Sequence, residues 1–139
     1  MFFIHYIELM KKNKNILVVD DSKILQKLLK TLLEKDGFSI FSAPTVSEGL
    51  YILGNEDIGI VLVDFYLAGI NTGAAMVEKI RKYKVDVKIY SISSSYENSQ
   101  ELLNAGCDGI LSKDPKDIQK FLNDFYCGEN IHTELKIDQ

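Results

Sequence analysis

The sequence predicts a single doubly wound α/β domain built on a five-stranded parallel sheet. Short apolar runs of strand length alternate five times with segments of helical periodicity. The connections between them are the few residues usual in α/β units. The 139 residues, 46% hydrophobic and 26% charged, suit one domain with one core. Strands that alternate with helices pair in parallel, and right-handed crossovers then cover both faces of the sheet. No repeat, low-complexity tract or internal linker interrupts the pattern.

Residues 1–13 read as an N-terminal extension, 14–126 as the domain and 127–139 as a polar, loose tail. The first nine residues are strongly apolar but lack the basic start and cleavage site of a signal peptide. Glu8, Lys11, Lys12 and Lys14 end the run well short of the ~20 apolar residues a membrane span needs. Two readings stay open: an extra helical turn that docks on the domain or a partner, or an artefact of start assignment with Met10 as the natural start.

Ile-Leu-Val-Val at 16–19 is a buried-strand signal closed by Asp20-Asp21. Ser22 caps a helix whose Ile24, Leu25, Leu28, Leu29, Leu32 and Leu33 recur at helical spacing, and Gly37 ends it. Residues 38–41 are a second strand. Thr45, with Glu48 three residues on, is a capping box for a helix to about Leu53. The run 58–63 is too continuously apolar for a half-exposed strand and reads as the central one, ended by Asp64. A loop with Gly69 and Gly73 leads to a helix carrying Ala74, Met76, Val77 and Ile80. Residues 87–92 are a fourth strand with Ser93-Ser94-Ser95 as its exit, and 97–105 a fourth helix ended by Gly106. Residues 109–111 are a brief fifth strand. Asp114-Pro115 then opens a last helix with Ile118, Phe121, Leu122 and Phe125 on one face.

Sixteen Lys and Arg against 20 Asp and Glu leave a net charge of −4, which argues against a general nucleic-acid binder. The tyrosines, lacking a basic stripe, form no stacking platform. Cys107 and Cys127 are too few for a disulfide framework and fit a reducing, cytoplasmic setting. Cys107 suits a small apolar packing role. His5 and His132 lie outside the domain as polar surface residues.

In open α/β sheets, sites form beyond the carboxyl ends of the strands. Those ends carry Asp20 and Asp21, Asp64, Ser91 or Ser93, and Ser112-Lys113. Three close carboxylates repel unless a cation neutralises them, and an all-oxygen set favours a hard ion such as Mg²⁺. A lysine and a hydroxyl opposite suit phosphate oxygens, so the chemistry indicated is phosphoryl transfer to a carboxylate. Taken singly, Asp64 reads as a turn cap, Lys113 as a solvated lysine and the 91–95 serines as loop chemistry; the ordered set argues otherwise.

Four segments and one glycine, in order along the chain, resemble the receiver domain of bacterial two-component response regulators. They are Ile-Leu-Val-Val-Asp-Asp-Ser (16–22), Val-Leu-Val-Asp-Phe-Tyr-Leu (61–67) with Gly73, Ile-Tyr-Ser-Ile-Ser-Ser (89–94), and Ala-Gly-Cys-Asp-Gly-Ile-Leu-Ser-Lys (105–113). The resemblance covers roughly residues 14–126. It implies a flavodoxin-like (βα)5 fold with strand order 2-1-3-4-5. It further implies that Asp64 is the phospho-acceptor, that Asp21 and Asp64 ligate Mg²⁺ directly, and that Asp20 acts largely through water. The Tyr66 carbonyl completes that ligand set, while Lys113 and the strand-four hydroxyl hold phosphoryl oxygens. Local pattern favours Ser93 for that hydroxyl; counting back from Lys113 lands on Ser91.

Two departures stand out. The family's usual Lys-Pro is Lys113-Asp114-Pro115 here, and the aromatic three residues before the lysine is Ile110. The expected function is a stand-alone receiver that takes a phosphoryl group from a sensor histidine kinase or phosphotransfer protein. It would signal through a non-covalent protein partner on the helix 4–strand 5–helix 5 face, without nucleic acid or membrane. Its enzymology would be at most Mg²⁺-dependent self-phosphorylation and autodephosphorylation. The alternative is a pseudo-receiver, a constitutive binding module without the switch. An aspartyl-phosphate hydrolase is disfavoured, because the second acid it needs two residues on is Ser22 after Asp20 and Tyr66 after Asp64. A flavin domain is disfavoured because Asp20-Asp21 would repel the flavin phosphate.

Overall fold

A computed structural model describes residues 13–66, 73–83, 86–94 and 99–137. Five parallel strands, β1 (Asn15–Val19), β2 (Ser39–Ala43), β3 (Ile60–Asp64), β4 (Lys88–Ser93) and β5 (Gly109–Ser112), lie in the order β2-β1-β3-β4-β5. The helices are α1 (Lys23–Lys35), α2 (Val46–Asn55), α3 (Gly73–Tyr83), α4 (Ser99–Ala105) and α5 (Pro115–Ile137). This is the doubly wound, flavodoxin-like arrangement and strand order expected. Each strand sits within about two residues of its predicted place. The apolar extension at 1–12 and the loop glycine Gly69 lie outside the described residues.

Alternation along the strands divides the core in two. Leu17, Val19, Val61 and Val63 pack with Met76, Val77 and Ile80 of α3 and Leu102 of α4. Ile16, Val18, Ile60 and Leu62 pack with Leu25, Leu29 and Leu33 of α1 and with Ile118 and Leu122 of α5. Side chains that alternate sides along a strand produce this division, and it leaves β1 apolar from Ile16 to Val19 and β3 apolar from Ile60 to Val63.

The predicted caps are in place. The Ser22 hydroxyl accepts the Leu25 amide at 3.2 Å and the Thr45 hydroxyl accepts that of Glu48 at 3.1 Å. Gly37, at φ +90°, ends α1 in the left-handed region that costs glycine little.

Two expectations are corrected. The apolar face of α1 is narrower than the periodicity suggests: Ile24 is 76% and Leu28 47% exposed. A helix lying on a sheet buries mainly one i, i+4 row, here Leu25, Leu29 and Leu33. The tail predicted as loose from Cys127 is instead the continuation of α5 to Ile137. That stretch holds no proline to stop a helix. No described helix is long and apolar enough to cross a membrane.

Candidate functional site

The carboxyl edge of the sheet is where the loops gather the polar residues. β1 leads directly into Asp20, whose amide donates to the Ala43 carbonyl at 3.0 Å, so the acid is carried by the sheet. Asp20 is fully buried, and its Oδ1 accepts the Ser22 amide at 2.7 Å. Asp21 beside it is exposed. Asp64, the last residue of β3, is 2% exposed; its Oδ1 accepts the Tyr66 amide at 3.1 Å.

From β5, Lys113 reaches across to both buried acids, 3.0 Å from Asp64 Oδ2 and 3.1 Å from Asp20 Oδ2. The first contact is a hydrogen bond. The second is an ion pair without hydrogen-bond geometry, so Asp20 Oδ2 is buried with no hydrogen-bond partner. One carboxylate oxygen from each of Asp20, Asp21 and Asp64 lies within 4.8 Å of the others. An all-oxygen cluster of three acids, one buried oxygen of which has no hydrogen-bond partner and only the Lys113 ion pair, fits a hard divalent cation such as Mg²⁺.

The electrostatics follow from burial. Desolvation pushes the Asp20 carboxyl above its ordinary value, and the nearby Asp64 charge adds to this; the Ser22 amide and Lys113 work the other way. Burial opposes the charge on Lys113, but its hydrogen bond to Asp64, its pairing with Asp20 and the charges of both acids together raise its pKa. Lys113 is thus held as an ammonium against two carboxylates.

The β3–β4 register gives the positions of the two candidate serines. Asp64 pairs with Ile92 and Val63 with Ser91. Ser91 therefore lies inside the sheet, fully buried, its Oγ without a hydrogen-bond partner and its amide on Cys107 Sγ at 3.2 Å. Ser93 is the last residue of β4, 5% exposed, and its carbonyl accepts the Lys113 amide at 3.1 Å. Alternation puts both serines on one side of the strand, with Ser93 at the edge. Tyr66 is held two residues after Asp64 by its amide bond to that acid. The Ser22 hydroxyl, used as the α1 cap, is already engaged.

Sequence reasoning missed one residue that holds the site together. Gln26 Nε2 donates to the carbonyls of Val18 at 2.9 Å and Asp20 at 3.0 Å, pinning the end of β1 to α1. The single legible signal was a polar residue one turn after the Ser22 cap. Gly73, which the sequence did single out, starts α3 against the backbone at the end of β3: a Cβ there would stand 2.5 Å from the Asp64 carbonyl oxygen and 2.9 Å from Phe65 Cα. Beside the cluster opens a cleft of about 430 Å³ walled by Asp21, Gln26 and three lysines of α1, Lys23, Lys27 and Lys30.

At the other departure from the family pattern, Ile110 is partly buried against the α2, α3 and α4 side of the core. Asp114 makes its own turn, accepting the Lys116 amide at 2.9 Å as it opens α5.

Comparison with known proteins places this arrangement. A family model described as the response regulator receiver domain matches residues 16–123. The KDP operon transcriptional regulatory protein KdpE of Escherichia coli (strain K12) is 30% identical over 101 residues, 71% of this chain and 44% of KdpE. The chain thus spans about half the length of the curated relatives it matches. A CheY-like response regulator receiver domain protein from Methanospirillum hungatei JF-1 superposes with a TM-score of 0.74 at 30% identity, covering 86% of this chain and 98% of that one. The response regulator protein TrrA from Thermotoga maritima, solved in complex with Mg(2+)-BeF, has a TM-score of 0.68 at 29% identity, covering 78% and 97%.

Proposed function

The chain belongs to the response regulator receiver family, and on that premise we propose that Asp64 accepts a phosphoryl group from a sensor histidine kinase or phosphotransfer protein. The observation that carries this reading is the buried Asp64 carboxylate facing Lys113 at 3.0 Å beside two further acids. In the transfer, a P–O bond forms on an Asp64 carboxylate oxygen as the bond from phosphorus to the donor nitrogen breaks.

Asp20, Asp21, Asp64 and the Tyr66 carbonyl are the residues that would hold Mg²⁺. When bound, the ion neutralises the acid cluster and takes charge from the phosphoryl oxygens. Lys113, already aimed at Asp64, holds a phosphoryl oxygen once the group is in place. Ser93, at the sheet edge and tied to Lys113 through its backbone, takes another; its edge position supports this choice over Ser91. The α1 lysines at the cleft suit an anionic, phosphorylated donor.

Drawing Ser93 and Lys113 toward the phosphoryl group reshapes the α4–β5–α5 face, which then engages a protein surface. The KdpE relative is a transcriptional regulator with more than twice the matched length. The output step is therefore proposed as protein contact by this face, whether the receiving surface is carried on the same chain or another.

A second reading, a constitutive binding module, is favoured by Ile110 standing where the family's switching aromatic belongs. Incubation of the full chain with acetyl phosphate and Mg²⁺ tests the first reading. Labelling is expected in the wild type and absent in Asp64→Asn; equal labelling of both would overturn it. Equal partner affinity with and without the phosphoryl group would favour the second reading.

A further inference from the structure

Asp20 and Asp21 stand on one short turn, and the two peptides that flank Asp20 are held by different means. The Asp20 amide donates to the Ala43 carbonyl at 3.0 Å, so the sheet holds the peptide that enters Asp20. The peptide that leaves it, joining Asp20 to Asp21, is held by a side chain: Gln26 Nε2 donates to the Asp20 carbonyl at 3.0 Å. The same nitrogen donates to the Val18 carbonyl at 2.9 Å and, at 3.4 Å, to that of Ala43. The amide can face only one way. Its Oε1 is buried without a hydrogen-bond partner, and a flip would set that oxygen against the Val18 and Asp20 carbonyls.

Resting on the proposal that Asp20, Asp21 and Asp64 hold Mg²⁺, we further propose that Gln26 is a positioning residue for the ion. By holding the Asp20–Asp21 peptide it sets how tightly the cluster binds the metal. A carbonyl oxygen and the amide that follows it lie in one plane, so pinning the Asp20 oxygen fixes that plane and the direction in which Asp21 leaves it. Asp21 is the acid of the three that depends most on this. Asp20 and Asp64 are buried, and Asp64 ends a paired strand, whereas Asp21 is exposed on the turn.

The support itself is rigid. The Gln26 amide donates to the Ser22 carbonyl at 3.1 Å inside α1, whose Leu25 and Leu29 are anchored in the core. Groups that orient metal ligands from outside the coordination sphere change affinity roughly 10- to 100-fold when removed. A mere tie between α1 and β1 would instead change folding stability and leave the affinity of the folded protein alone.

Isothermal titration calorimetry of the full chain with Mg²⁺ alone tests this. Gln26→Met fills the same space without a donor, and Gln26→Ala leaves the carbonyls to water from the adjoining cleft, which Gln26 lines. In both, the Mg²⁺ Kd is expected to rise about tenfold. The acetyl phosphate labelling rate at saturating Mg²⁺ is expected to fall by no more than about threefold, the pattern of lost binding rather than lost chemistry. Arg81→Ala removes hydrogen bonds to the Gly106 and Val87 carbonyls before β5 and β4, and is expected to keep the wild-type Kd despite its lower stability. An unchanged Kd in folded Gln26→Met or Gln26→Ala, or an equal rise in Arg81→Ala, would overturn the proposal. So would an about tenfold loss of labelling at saturating Mg²⁺ with Kd unchanged, which assigns Gln26 to the acceptor rather than to the ion. A wild type that binds no Mg²⁺ would overturn the ligand assignment of the three acids, and this proposal with it.

Discussion

Replacing Asp20 by Asn should make the metal-free protein more stable while removing most of its response to Mg²⁺. Asp20 and Asp64 are both buried, with carboxylate oxygens no more than 4.8 Å apart. At an effective dielectric of about 20 that repulsion is about 3.5 kcal/mol or more. Lys113 at 3.1 Å from Asp20 returns about 5 kcal/mol on the same scale. Exposed Asp21 adds a screened further repulsion, and burying the Asp20 charge costs several kcal/mol. The balance is unfavourable by about 2 kcal/mol. Asparagine keeps the shape and the Oδ1 acceptor for the Ser22 amide, and Lys113 keeps Asp64 as its partner.

Thermal unfolding without divalent metal should therefore show Tm about 7 °C higher in Asp20→Asn for a chain of this length. The pH dependence has a definite sign. The folded-state pKa of Asp20 is raised above 3.8, so folding takes up a proton between these two values. The wild type accordingly loses stability relative to the variant as pH rises through that window, and the two converge below it. Saturating Mg²⁺, at a hundredfold over its Kd, should add about 2.7 kcal/mol to the wild type and much less to the variant. A variant that melts below the wild type in the absence of metal, yet keeps the full Mg²⁺ gain, would refute this account of the cluster.

Ser91→Ala deletes a buried hydroxyl without a hydrogen-bond partner, so stability should hold or rise by up to about 1 kcal/mol, with acetyl phosphate labelling unchanged. Ser93→Ala, in contrast, should still be labelled but should lose the chemical-shift response of Ile110 to phosphorylation. Gly73→Ala forces the Asp64 and Phe65 backbone aside, and the labelling rate should fall about 10- to 100-fold with the fold retained by circular dichroism. Arg81 donates to the carbonyls of Gly106 at 2.8 Å and Val87 at 2.6 Å and to Asp108 at 2.6 Å, so Arg81→Ala should cost about 3 kcal/mol in urea unfolding. Arg81→Lys should recover little, since one ammonium does not reproduce the fork.

What was legible in the sequence was what short-range physics dictates. The continuous apolar run into Asp64 marks a strand covered on both faces, and Ser22 and Thr45 show as caps because a hydroxyl reaches a backbone amide three residues on. The acid trio was visible because the ends of parallel strands share one edge. The choice between Ser91 and Ser93 was not, since both fall on the same side of β4, one to either side of Ile92, the partner of Asp64. Gln26 and Arg81 were missed because their partners are carbonyls and a carboxylate brought in by tertiary packing; Asp108 is 27 residues from Arg81. Ile24 and Leu28 were overcalled because periodicity marks an apolar face but not how much of it a flat sheet covers.

Backbone amide NMR of the full chain, titrated with Mg²⁺ and beryllofluoride as a phosphoryl mimic, bears most directly on the claim that Asp64 governs a switch. Shifts should begin at Asp64, extend through Ser93 and Lys113, and reach Ile110 and the α4–β5–α5 face, and they should be absent in Asp64→Asn. Shifts confined to the residues around Asp20, Asp21 and Asp64, or the same in Asp64→Asn, would contradict it.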